Sequence, residues 1–106
     1  MVKKILTGAG FVEGKTFKET RFITPPTTTY AVYMDSFTRR GADNRNLIKD
    51  HNYTIELYSY KADKTAEAKI EAMFDDLGLE YDKSERYWLE SESLFQVVYT
   101  FDFLEK

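Results

Sequence analysis

The chain lacks cysteine altogether, and its 106 residues include one histidine, one tryptophan and two prolines. Without cysteine there are no disulfides and no thiolate metal ligands, and folding is possible in a reducing or an oxidising compartment. The lone histidine, His51, has no thiol partner for nucleophilic chemistry. At the entrance of an expected strand it reads as a surface residue or a backbone hydrogen-bonder. Long apolar runs are missing too: nothing approaches the roughly 18 to 20 residues that a bilayer-crossing helix needs. The start, Met-Val-Lys-Lys-Ile-Leu, loses its apolar character at Gly8, too early for the core of a signal peptide. A soluble product without membrane contact is expected.

A basic excess is also absent. The formal charge is −3 and the sequence pI about 5.2, whereas a general grip on nucleic acid needs several cations placed to displace counterions from phosphates. An enzyme acting on DNA is disfavoured, and no specific nucleic-acid binding is expected. Gly8, Gly10 and Gly14 are spaced a little like a phosphate loop, but no strand precedes them and no Gly-Lys-Ser/Thr or helix start follows. Asp75 and Asp76 are neighbours on a helix, so their side chains diverge by about 100° and read as solvated charge, as do Glu90 and Glu92 beside a turn. No catalytic, cofactor-binding or metal-ligating set emerges, and the expectation is not an enzyme.

What the chain does have is bulk. Apolar residues make up 42% of it and aromatics 16%, including eight Tyr and eight Phe. At this length one core is favourable and two would each be marginal, so residues 1–106 read as a single domain.

Periodicity supplies the elements. Val2, Ile5, Leu6 and Ala9 fall at helical spacing, with Gly8 and Gly10 weakening the second turn. Residues 11–26 are irregular and end in Pro25-Pro26, which suggests an arm or an extra hairpin. Tyr30, Val32 and Met34 alternate with Ala31, Tyr33 and Phe37, so the strand over 28–38 has two partly apolar faces. The turn-rich segment 39–49 predicts a protruding loop carrying Arg39, Arg40, Asp43, Asn44 and Arg45. A second strand follows over 51–60. Asp63 then suits an N-cap, Ala66, Ile70, Met73, Phe74 and Leu77 form one stripe, and Gly78 stands where a left-handed residue ends a helix. Residues 79–90 read as a third strand and 94–103 as a fourth, with Phe95, Val97, Tyr99, Phe101 and Phe103 on one face. The expected fold class is α+β: a four-stranded antiparallel sheet with helices on one face, in the order α-β-β-α-β-β.

If the helices cover Ile55, Leu57, Val97, Tyr99 and Phe101, then Tyr33, Phe37, Tyr58, Tyr60, Trp88 and Val98 belong on or near the opposite face. Aromatics on an open sheet can stack single-stranded bases, bury against another protein, or lie under the chain's own 11–26 arm. The basic, glycine and aromatic signature of RNA-recognition sheets is missing, which leaves a monomeric module for single-stranded nucleic acid as the alternative and protein contact as the first choice. The three loop arginines could meet phosphate or carboxylate, or be solvated beside Asp35, Asp43 and Asp50.

Residues 29–104 resemble a known family through the order of their motifs. These are Tyr30-Ala31-Val32-Tyr33, Gly41-Ala42-Asp43-Asn44, Tyr53-Thr54-Ile55-Glu56-Leu57-Tyr58, a helix bearing Glu67, Ile70, Glu71 and Leu77, and Tyr87-Trp88-Leu89-Glu90 followed by residues 94–101. The resemblance is to small siphophage and prophage proteins of Gram-positive hosts known as tail terminators or head-tail joining proteins. It implies a structural virion subunit without cofactor, assembling with copies of itself into a ring, usually of six, on the end of the tail tube. Its partners would be tail-tube and head-connector proteins, and its place the head-tail junction of the virion after assembly in the host cytoplasm. The open aromatic face and the loop, with Tyr33, Phe37, Arg39, Arg40, Asp43, Asn44, Arg45, Tyr58, Tyr60, Trp88 and Val98, then become interface candidates. The 11–26 segment departs from the family pattern.

Overall fold

A computed structural model describes residues 1–40 and 48–105, with side chains for 1–36 and 51–103. It is an α+β fold of two helices and a mixed six-stranded sheet. Helix α1 is Val2–Gly8 and strand β1 is Phe17–Glu19. Strands β2 (Tyr30–Arg40) and β3 (Ile48–Ser59) are followed by helix α2 (Lys64–Leu77). The chain ends with β4 (Asp82–Lys83), β5 (Tyr87–Leu89) and β6 (Leu94–Glu105).

The central strands β2, β3 and β6 pair antiparallel, and β3 lies in the middle. Two differences from the expected sheet follow from local sequence. First, the 11–26 arm contributes β1, which joins the outer side of β2 in parallel, Phe17 opposite Ala31 and Glu19 opposite Tyr33. Phe17 is fully buried and anchors that edge. Second, the third strand expected over 79–90 breaks into β4 and β5, both paired to β6. Ser84 interrupts it: the Ser84 amide donates to the Val98 carbonyl, and the Ser84 hydroxyl accepts from the Val98 amide.

Helix α2 begins and ends where its sequence dictates. The Asp63 carboxylate accepts from the Ala66 amide at 3.0 Å, and Gly78 closes the helix at φ 65°, a left-handed conformation that costs glycine little. Thr29 also donates its hydroxyl to Asp63 at 2.6 Å, tying the helix start to the approach to β2. The helices meet at Gly8, where a Cβ would lie 2.5 Å from the flexible end of the Met73 side chain and would require it to shift.

Both helices lie on one face of the sheet. Val2, Ile5, Leu6, Ile70 and Phe74 pack on Ala31, Tyr33, Tyr53, Ile55, Leu57, Val97, Tyr99 and Phe101. All the sheet members of this core have odd numbers, as the period of two requires. The three long strands continue past the core by further rows, through His51 opposite Phe37 and Phe103 to Arg40 opposite Ile48. The radius of gyration, 14.9 Å, exceeds the roughly 13 Å of a compact domain of this length.

Candidate interaction surface

The side chains proposed for an open face are distributed over three places. Tyr33 is on the helix-bearing face, 6% exposed, with its ring 6.3 Å from that of Phe17. Its parity is that of Ala31, and the register puts it opposite Ile55, so it belongs to the core. Trp88 is exposed, yet it too is on the helix-bearing side: it stands opposite Phe95, and the two rings meet edge to face at 4.9 Å. Tyr58 and Val98 do have the parity of the other face, and Tyr60, just past the end of β3, bonds the Pro26 carbonyl. Phe37, Arg39 and Arg40 belong to β2, past the rows that β1 covers, so Arg39 and Arg40 extend a strand and are not part of the expected loop, whereas Asp43, Asn44 and Arg45 lie outside the described residues.

The face opposite the helices is partly roofed. Tyr30 and Tyr58 stack across β2 and β3 at 5.2 Å, and Phe22 meets the Tyr30 ring edge-on at 5.5 Å. Tyr30 and Val32 are buried in consequence. The 11–26 segment therefore wraps the edge of the sheet, with Phe17 beneath the helices and Phe22 over the other face. A pocket of about 220 Å³ remains there, lined by Phe22, Pro25, Tyr30, Glu56, Tyr58 and Leu94 among others. Tyr58 donates to Glu56 at 2.8 Å and accepts from Gln96 at 3.0 Å. Burial, then the bond to the Glu56 carboxylate, pushes the Tyr58 phenol up to about 12.

Three large rings do reach solvent near one end of the sheet. Tyr60, Tyr87 and Trp88 are each close to half exposed. Two of them are pinned: Tyr60 donates to the Pro26 carbonyl at 3.0 Å, and the Trp88 indole N–H donates to Glu90 at 3.0 Å. Such rings lose little freedom on binding and bury much area, the profile of interface anchors.

Two polar clusters were not foreseen. His51, expected at a surface, is 7% exposed on the helix-bearing face, with Nδ1 3.0 Å from both Asp35 carboxylate oxygens and its ring stacked on Tyr53 at 5.3 Å. The sequence hint was the shared odd parity of Asp35 and His51 on paired strands. The second cluster joins α2 to the far edge. Arg86 grips the buried Glu67 with two hydrogen bonds of 2.8 and 2.9 Å, and Lys83 reaches Glu67 at 3.0 Å and Glu71 at 2.7 Å. Tyr99 donates its hydroxyl to Glu71 at 2.8 Å. Burial raises the Glu67 pKa, but the bonds from Arg86 and Lys83 outweigh it and leave the carboxyl below its ordinary value. Burial and the Glu71 carboxylate together hold the Tyr99 phenol far above its ordinary range. Two carboxylates facing two cations make a neutral clamp on the 79–86 segment, and its partners are all within the chain.

Among the described residues, no group of three or more histidine and carboxylate side chains could hold a metal ion, and no helix is long and apolar enough to cross a membrane. Set beside protein-family models, curated proteins and solved structures, the chain has no match in any of the three.

Proposed function

We propose that this protein is an assembly subunit, and specifically a phage tail-terminator or head-tail joining protein that forms a ring with its own copies and docks on tail-tube and connector proteins. The observation that carries the docking role is the set Tyr60, Tyr87 and Trp88, all left about half exposed, with Tyr60 and Trp88 held in place by their own hydrogen bonds. An exposed aromatic group of this kind stabilises contact with another protein surface. The choice of a virion role rests on the order of sequence motifs over residues 29–104. A net charge of −3 suits a wall past which DNA slides without sticking.

The base-stacking alternative has less support, because Tyr30 and Tyr58 are stacked on each other and capped by Phe22. Light scattering coupled to size exclusion, with electron microscopy of the peak, tests the proposal. Rings, or capped tubes when tail-tube protein is added, are the expected result. A monomer in both mixtures at high concentration overturns it.

A further inference from the structure

Among the described residues the sheet has two open edges, and they occupy the same rows. On β2, β1 covers only Ala31, Val32 and Tyr33. Among the described residues nothing pairs with the outer side of β2 from Met34 to Arg40. On β6, β4 reaches only as far as Thr100, so residues 101–105 likewise have no outer partner among the described residues. The register places Asp35 in the row of Phe101, Phe37 in that of Phe103, and Arg39 in that of Glu105, each through one residue of β3.

The hydrogen bonds that do form show which backbone groups point outward. The Ala31 amide donates to Thr16 and the Tyr33 carbonyl accepts from Thr20, so odd residues of β2 face its outer side. Continuing the alternation, Asp35, Phe37 and Arg39 present N–H and C=O groups to the open edge. On β6 the Val98 amide and carbonyl both bond Ser84, so even residues face outward there, and Asp102 and Leu104 present theirs. Unpaired edge groups in matching rows are a template for another strand.

We infer that the β6 edge of one copy pairs with the β2 edge of the next, continuing the sheet from subunit to subunit. Because β2 and β6 both run antiparallel to β3, they are parallel to each other, and a second copy with the same strand direction brings unlike edges together without inversion. The contact is head-to-tail and heterologous, the kind that closes into a ring. In sequence, β2 ends in Arg39-Arg40 and β6 ends in Leu104-Glu105, so residues of unlike charge occupy the row that Arg39 and Glu105 share. There is also room, since a cleft of about 700 Å³ lined by Leu79, Tyr81, Asp82, Thr100 and Asp102 opens beside the β6 edge. A two-fold pairing of β2 with β2 would leave every β6 edge open. This inference deepens the ring proposal and rests on its self-association.

Asp102 provides the test, because its amide points outward and its side chain is exposed. Proline there removes the outward N–H, which an edge position tolerates, whereas Asp102→Asn keeps it. The wild-type assembly is expected to fall to monomer in Asp102→Pro, with at least a tenfold weaker association, and to persist in Asp102→Asn. Hydrogen exchange of the wild type above and below its assembly concentration covers the case in which Asp102→Pro does not fold. Protection on assembly is expected at the amides of Asp35, Phe37, Arg39, Asp102 and Leu104. An assembled wild type whose size survives Asp102→Pro, or whose edge amides gain no protection, overturns edge pairing alone. A wild type that is a two-fold dimer, or that never assembles, overturns the ring proposal with it.

Discussion

Arg86 and Glu67 meet in a parallel, two-bond grip, Nε to Oε2 at 2.8 Å and Nη2 to Oε1 at 2.9 Å, with the Glu67 carboxylate almost wholly removed from solvent. That geometry makes a helix residue hold down a segment that has little strand pairing of its own. Replacing Glu67 with Ala strips Arg86 of its carboxylate partner and leaves Lys83 with Glu71 alone. A loss of about 1.5–3 kcal/mol is expected, the range for hydrogen bonds to charged groups. Urea unfolding followed by circular dichroism measures it, and proteolysis should then cut first between residues 79 and 86.

Acid should undo the same grip. Glu67 and Asp63 both have pKa values below their ordinary ones, Glu67 through Arg86 and Lys83 against burial, Asp63 mainly through the Thr29 hydroxyl and the Ala66 amide. A depressed folded pKa means that stability is fully present above the unfolded value, about 4 for these groups, and is lost as pH falls through the folded value. Melting temperature should therefore hold from pH 7 to about 5 and decline below about 4.5. Glu67→Gln starts lower and declines less steeply. Equal slopes for the two proteins would remove Glu67 from the account.

Phe101 lies between Phe74 and Tyr53, with ring centroids at 5.0 and 5.2 Å, and is 4% exposed. Phe101→Ala should cost about 3–5 kcal/mol, because the cavity opens where helix and sheet meet and has little means of collapsing. Denaturant titration at fixed pH gives the number.

Trp88→Ala separates docking from folding. The ring is about half exposed and loses one edge-to-face contact with Phe95, so the monomer should be destabilised by only about 1 kcal/mol. Assembly should weaken tenfold or more if Trp88 anchors a neighbour. Thermal melting and light scattering on one sample distinguish these effects. An unfolded variant would place Trp88 in the core instead.

Much of this architecture was legible from side-chain period. The stripe from Ala66 to Leu77, the Asp63 cap and the Gly78 stop define α2 from end to end, and the odd-numbered run in β6 marks its buried face without ambiguity. Tyr33 shows where period fails. When both faces of a strand carry bulky residues, alternation fixes which side chains share a face but not which face meets the helices, and only the pairing with Ile55 decides it. The fracture of residues 79–90 depended on one hydroxyl, Ser84, replacing a regular ladder contact. The place of β1 was hidden because three residues give no period at all. Asp35 and His51 are sixteen positions apart in sequence, and their meeting depends on the β2–β3 register, which spacing alone does not supply.

Strand β3 separates two unlike neighbourhoods. At its Ser59 end stand the exposed aromatics; at its Ile48 end, on the order of 35–40 Å away for a twelve-residue strand, the chain leaves β2 through Arg39 and Arg40. Copies set side by side with their strands aligned would give an annulus with two unlike rims, one of them bearing the exposed rings. Such an object has a top and a bottom, and can hold two different neighbours at once without confusing them.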